Sequence, residues 1–136
     1  MSRHDARIAA VRAVYCGDHI KGTPTNESLL FDGLTLDADD KFFYEQLVGN
    51  MGSHIDEIVS LIRDNTKNWK VERISKVDMA ILSVAVYEIL FDDSVPDKSA
   101  IDEAVRIAKE YSTEKSSSYI NGVLSGVFKY KYNQQS

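Results

Sequence analysis

Residues 76–91 read KVDMAILSVAVYEILF, an almost uninterrupted apolar run within a chain of 136 residues. Nearly the only polar residues in this run are Lys76, Asp78, Ser83 and Glu88. A helix that is apolar almost all round lies in the middle of a bundle, because every face needs an apolar partner. The run therefore predicts a central helix with other helices packed around it.

Two further helices are predicted on the C-terminal side of this run. The run 76–91 is followed by a connection that contains Pro96, because the residue before a proline is pushed out of helical geometry. Ser99 is predicted to be the N-cap of a helix over 100–111. Residues 112–118 are polar and predict a link to a final helix that ends at about residue 130.

Within the final helix, apolar pairs recur every four residues: Tyr119/Ile120, Val123/Leu124 and Val127/Phe128. This spacing predicts that one face of the helix is buried. Gly122 and Gly126 lie on another stripe of the same helix. Because glycine has no side chain, both positions predict close approach of a neighbouring helix.

The N-terminal half also shows helical spacing. Residues 3–16 predict a helix, residues 17–25 a loop, and residues 26–32 a short helix. Acidic residues from Asp37 to Asp40 predict the start of the next helix, because carboxylates favour the positive end of the helix dipole. A helical apolar pattern follows this start and runs to about residue 62. Gly49 and Gly52 interrupt it and predict a bend or break between two helices.

No segment alternates apolar and polar residues with period two, so we predict an all-α protein of six or seven helices. The length suits a single domain over residues 1–136. We expect it to consist of two packed helical subdomains, over about 1–68 and about 69–131, followed by a short C-terminal tail.

The charge of −5 is unevenly distributed. Residues 21–66 carry three cations against nine acids, whereas residues 1–20 carry three cations against two acids. Residues 111–136 hold three lysines against Glu114 alone. This pattern allows mildly basic ends to contact an anionic polymer while the acidic middle engages a basic protein, although it is also compatible with ordinary surface charge.

The sequence shows no pattern of a catalytic, metal or cofactor site. His4, His19 and His54 are scattered, and Cys16 has no basic cluster beside it. There is no glycine-rich phosphate loop, and no apolar run approaches the 18 residues of a membrane span. We therefore expect a cytoplasmic protein that is not an enzyme, binds no metal or cofactor and does not contact a membrane.

Four sequence blocks, in order, resemble the NusB family of bacterial transcription antitermination factors. They are WKVERISKVDMAIL at 69–82, AVYEIL at 85–90, VPDKSAIDEAV at 95–105 and YINGVL at 119–124. The N-terminal Ala6-Arg7 and Ala13-Val14-Tyr15 are similar to the family's opening helix. The resemblance spans nearly the whole chain and is weakest over residues 17–40.

This resemblance implies an all-helical fold of two subdomains that binds boxA RNA together with the ribosomal protein NusE. It implies a role in ribosomal RNA transcription, within the RNA polymerase antitermination complex. By position, the implied RNA surface comprises Arg3, His4, Arg7, Lys115, Ser116 and Ser118. The resemblance also implies that the loop before the last helix lies near Arg3 and Arg7 in space.

For NusE, we expect contact with an exposed polar edge of the central helix, notably Asp78 and Glu88. The chain differs from the family's pattern in places. The segment from Arg3 to Arg7 has fewer arginines than many relatives, which predicts weaker attraction to RNA. Lys115 stands where some relatives have an acid.

Two other functions compete with this one. The protein could be a homodimer whose self-association covers the RNA surface, since some relatives dimerise. A related domain also begins certain RNA cytosine methyltransferases, but that alternative requires the sequence to be a fragment, since it ends at Ser136 without a catalytic domain.

Overall fold

A computed structural model describes residues 3–20, 25–66 and 73–135, with Gln135 lacking a described side chain. Across these ranges the chain is helical and forms no strand, which confirms the predicted all-α fold. The helices are α1 (Arg3–Tyr15), α2 (Glu27–Leu30), α3 (Ala38–Met51), α4 (Ile55–Asp64), α5 (Lys76–Phe91), α6 (Asp97–Tyr111) and α7 (Glu114–Gln135). The described residues do not include part of the loop predicted over 17–25, Trp69 or the subdomain boundary predicted near residue 68.

Helix α5 is the centre of the bundle, as its apolar sequence predicts. It packs against α1, α3, α4, α6 and α7. Eleven of its sixteen residues are buried, and Ile81, Leu82, Val86 and Ile89 are almost completely enclosed. The apolar residues on every face are therefore matched by a surrounding layer of helices.

Local contacts explain where α3 begins and ends. The Asp37 carboxylate accepts a hydrogen bond from the Asp40 backbone N–H at 2.8 Å, and this bond lowers the pKa of Asp37. At the other end, a short 3-10 turn over Gly52–His54 separates α3 from α4. A Cβ on Gly52 would overlap the His19 carbonyl oxygen, so the predicted break falls where only glycine fits.

Two predicted helix starts are wrong. Helix α6 begins at Asp97, directly after Pro96, so Ser99 lies inside its first turn and does not cap it. Helix α7 begins at Glu114, because the Thr113 hydroxyl accepts from the backbone N–H of Ser116 and caps the helix there. The link before α7 is therefore much shorter than the predicted 112–118, and α7 continues past residue 130 to Gln135.

The two glycines of α7 behave differently. A Cβ on Gly126 would overlap the side-chain oxygen of Asn65 at the end of α4, so this glycine does permit close approach. A Cβ on Gly122 would meet no atom within 4 Å, and Gly122 is exposed. The prediction of close approach is therefore confirmed at Gly126 and wrong at Gly122.

Candidate nucleic-acid interface

Arg7 lies in the core and does not face solvent. Only 7% of its surface is exposed, and it forms a paired interaction with Glu88, of which 1% is exposed. The Arg7 Nε donates to Glu88 Oε1 at 2.9 Å, and Nη2 donates to Oε2 at 2.8 Å. The expectations that Arg7 is available to RNA and that Glu88 lies on an exposed edge are therefore wrong. Local sequence patterns do not indicate a partner that lies 81 positions away in the sequence.

Burial disfavours the charged forms of Arg7 and Glu88, whereas their contact with each other favours these forms. Burial raises the pKa of Glu88 above its ordinary value, and the hydrogen bonds and charge of Arg7 offset part of the rise. Burial also opposes the charge on Arg7, but the hydrogen bond and charge of Glu88 outweigh it and raise the pKa of Arg7. The pair thus joins α1 to α5 through a charge-assisted contact that is sheltered from water.

The first two residues of the predicted N-terminal site also contact other helices. The Arg3 guanidinium carbon lies 4.2 Å from the centre of the Phe43 ring, although Arg3 is exposed. His4 contacts two carboxylates of α6, with Nδ1 2.7 Å from Glu103 and Nε2 2.9 Å from Glu110. Of the three N-terminal residues, only Arg3 therefore presents an exposed positive charge.

The start of α7 is built around Ser116. Its hydroxyl donates to Asp78 Oδ2 at 2.7 Å and accepts from the Thr113 hydroxyl at 3.1 Å. Asp78 is only 6% exposed, so its predicted place on an exposed edge is also wrong. The carboxylate is enclosed because α7 begins directly over the first turn of α5.

A cleft of about 270 Å³ opens beside this hydrogen-bonded chain. It lies where α5 and α7 both begin, near the end of α6. Lys115 lies on its wall and is exposed, and Ser118 is exposed on the next turn of α7. The cleft is lined by Arg73, Ile74, Ser75, Asp78, Ser112, Thr113, Lys115, Ser116 and Tyr119.

Arg73 and Tyr119 are among the cleft residues that the sequence did not predict as site residues. Arg73 is exposed and adds a second cation to that of Lys115. Tyr119, whose helical spacing is typical of a core residue, lines the cleft, and its burial and then the charge of Asp78 raise its pKa. Only the pairing of the α5 and α7 starts brings them together.

The two parts of the predicted RNA surface contact α5 at different points. Arg7 contacts α5 at Glu88, whereas Ser116 contacts it at Asp78. Ten residues of helix separate these points, which is about 15 Å along the axis. These contact points do not support the expectation that the loop before the last helix lies near Arg7, and its expected proximity to Arg3 stays a prediction.

A second concave surface, which we call the apolar groove, lies between α1, α2 and α6. Its volume is about 360 Å³. Its rim includes three exposed apolar side chains, Tyr15, Leu29 and Tyr111, and its floor includes Ile8, Val11 and Ile107. Exposed apolar surface of this kind is typical of protein-binding sites.

Within the described ranges, no three or more His, Cys, Asp or Glu side chains are grouped so that they could hold a metal ion. None of the helices in these ranges is both long and apolar enough to cross a membrane. The surface features described so far are a cationic, hydroxyl-lined cleft and an apolar groove. The fold and these two features define a helical binding module.

The chain belongs to the NusB family, whose model matches residues 4–129. It is 44% identical to the transcription antitermination protein NusB of Finegoldia magna, over 98% of each chain. The fold is similar to NusB of T. maritima, with a TM-score of 0.77, 27% identity and coverage of 95% and 92%. It is also similar to a chain from a crystal structure of antitermination factors NusB and NusE with double-stranded RNA, with a TM-score of 0.75, 28% identity and coverage of 96% and 99%.

Proposed function

We propose that this chain is a cytoplasmic, non-enzymatic transcription antitermination factor that binds boxA-type RNA together with NusE. One observation carries the proposal: nearly the whole chain matches a chain from a structure of NusB and NusE with RNA. The relatives' names support the same function, since they are antitermination proteins and not methyltransferases. The protein would act in ribosomal RNA transcription as part of the RNA polymerase antitermination complex.

The RNA surface that best fits the geometry is the cleft at the start of α7. Lys115 and Arg73 supply positive charge, and Ser118 supplies an exposed hydroxyl. Cations and helix N-termini favour phosphate oxygens, which position a nucleic acid on a protein. Ser116 would hold the cleft in shape through Asp78, and Arg3 would add a more distant positive charge.

The surface that best fits NusE is the apolar groove. Asp78 and Glu88 are buried, so neither offers its carboxylate to a partner's surface. The groove, by contrast, exposes Leu29 and is bordered by α2, which lies in the acidic stretch 21–66. An exposed apolar patch suits a protein partner, and the acidic stretch that contains α2 suits a basic one such as a ribosomal protein.

The central experiment is a titration of the chain with boxA RNA, with NusE, and with both. We expect weak RNA binding alone, because a net charge of −5 opposes the phosphates, and much tighter binding in the presence of NusE. RNA of the same composition in shuffled order is the control. Equal binding of both RNAs, or no gain from NusE, would contradict the proposal.

Light scattering in the same samples tests the homodimer alternative. If the free chain is a dimer that boxA RNA and NusE do not dissociate, and RNA binding is absent, the occluded dimer is the better account.

The groove can be tested with a matched pair of variants. Leu29→Asp places a charge on the groove's rim, whereas Phe42→Asp places one on an equally exposed apolar position of α3. We expect only Leu29→Asp to weaken NusE binding, while both variants unfold at the wild-type temperature. Equal effects of the two changes would remove the groove as the NusE surface.

A further inference from the structure

Helix α7 carries a line of residues, all exposed except the half-buried Ser125, that continues from the cleft toward the end of the helix. We call it the α7 outer stripe. With 3.6 residues per turn, these positions lie within about a third of the helix circumference. The stripe consists of Ser118, Asn121, Ser125, Phe128, Lys129 and Tyr132.

The far end of this stripe is aromatic and exposed. Phe128 is 41% exposed and Tyr132 is 64% exposed. Their ring centres lie 6.4 Å apart, with a tilt of 33° between the rings. The sequence predicts that Phe128 is in the core, through its pairing with Val127, but α7 buries Val127 and leaves Phe128 outside.

The charge of α7 suits an anionic partner. Its 22 residues carry Lys115, Lys129 and Lys131 against Glu114 alone, in a protein that is acidic as a whole. Lys131 is held by Asp97 at 3.0 Å, whereas Lys129 is exposed and lies about one helical turn from Tyr132. Cations and stackable rings on one surface are the combination by which proteins bind single-stranded nucleic acid without reading its sequence.

We infer that the α7 outer stripe is a second RNA contact, where single-stranded nucleotides flanking the boxA element stack on Phe128 and Tyr132. The inference rests on the proposed function and adds to it a surface for RNA outside the element. From Ser118 to Tyr132 the stripe runs for fourteen residues, about 21 Å of helix. A strand leaving the cleft along α7 would reach the rings within a few nucleotides.

The experiment compares five RNAs in the presence of NusE. They are the boxA core alone, the core with six extra uridines at its 3′ end, the core with six at its 5′ end, and each extension with abasic sugars in place of uridines. We expect one uridine extension to tighten binding about tenfold, in line with the loss measured when a stacking aromatic is removed. The abasic extension keeps the phosphates but removes the bases, so it should give little of that gain.

A matched pair of variants locates the contact. Phe128→Ala/Tyr132→Ala should abolish the gain from the extension and leave the affinity for the core unchanged. Tyr130→Ala is the control, because Tyr130 is also 41% exposed but lies about 160° around the helix from both rings. If the double variant is poorly folded, Tyr132→Ala alone should lose most of the gain.

The possible outcomes separate this inference from the proposed function. If the core binds but neither extension tightens binding, or if the gain survives in the double variant, the second contact is wrong. A full gain from the abasic extension would also overturn it, because charge alone would then explain the effect. If the double variant changes self-association and not RNA binding, the stripe is a protein contact.

If the core itself does not bind, the proposed function fails. The stripe is then tested by measuring the binding of a twelve-nucleotide oligouridine. Binding that is weakened by the double variant but not by Tyr130→Ala supports the stripe, and absence of binding overturns it.

Discussion

The N-terminal arginines and the start of α7 both resemble RNA-binding positions in sequence, yet the structure uses them differently. Arg7 is enclosed and paired with Glu88, and His4 contacts two acids of α6. At the start of α7, Lys115 and Ser118 are exposed beside a cleft. A cation near a chain end can therefore stabilise the fold, and its burial distinguishes this role from binding.

The largest expected effect concerns the structural role of Arg7. Arg7→Met should lower the free energy of unfolding by about 3–5 kcal/mol at neutral pH, because it leaves the Glu88 carboxylate buried without its partner. Urea unfolding measures this loss. Adding Glu88→Leu should recover most of it, since an apolar pair needs no charged partner. A loss below about 1 kcal/mol would mean that Arg7 is not part of the core.

The same variant has a pH dependence whose sign follows from Glu88. Burial raises the pKa of Glu88, and Arg7 lowers it part of the way, so removing Arg7 raises that pKa further. A carboxyl with a raised pKa in the folded state favours folding when protonated and opposes it as the pH rises through that pKa. The deficit of Arg7→Met should therefore shrink as the medium is acidified. A deficit that grows on acidification would contradict this account.

A smaller effect distinguishes the two serines at the start of α7. Ser116→Ala removes the hydroxyl that donates to the buried Asp78 and should cost about 1.5–3 kcal/mol. Ser118→Ala changes an exposed side chain and should stay within about 0.5 kcal/mol. Thermal or urea unfolding of both variants measures the difference. Equal losses would show that Ser116 is as exposed in solution as Ser118.

The two glycines of α7 test which face of the helix is covered. Gly126→Ala should destabilise the protein by about 1–3 kcal/mol, because the new methyl group overlaps Asn65. Gly122→Ala should be neutral or stabilising by up to about 1 kcal/mol, since the methyl group meets no neighbour and alanine favours helix. The reverse order of stabilities would mean that α7 is rotated about its own axis relative to this structure.

Much of the fold follows from local patterns in the sequence. The apolar run 76–91 defines α5 correctly, and the acids at Asp37 and Asp40 mark the start of α3. Periodicity reports which residues turn toward a core, and these signals lie within one or two helical turns. The starts of α6 and α7 were misplaced because serines near a helix end suit a cap, a first turn or a loop equally well.

The site was less predictable, because its chemistry depends on distant pairs. Glu88 appears as a polar position on a helix until Arg7 is placed against it, and Asp78 appears exposed until Ser116 covers it. Lys115 and Ser118 were identified only through resemblance to the family. Arg73 and Tyr132 gave no local signal, and the local pattern placed Phe128 in the core, because the exposure of these residues depends on how the helices pack.

The most direct test of the RNA surface is the affinity of Lys115→Glu for boxA RNA in the presence of NusE, measured over a range of salt concentrations. We predict weaker binding, a salt slope lower by roughly one unit or less, and a change in stability below about 0.5 kcal/mol. Lys98→Glu, an equal change of charge at the start of α6, should bind like the wild type. Unchanged affinity and slope in Lys115→Glu would contradict the assignment of the RNA surface to the start of α7.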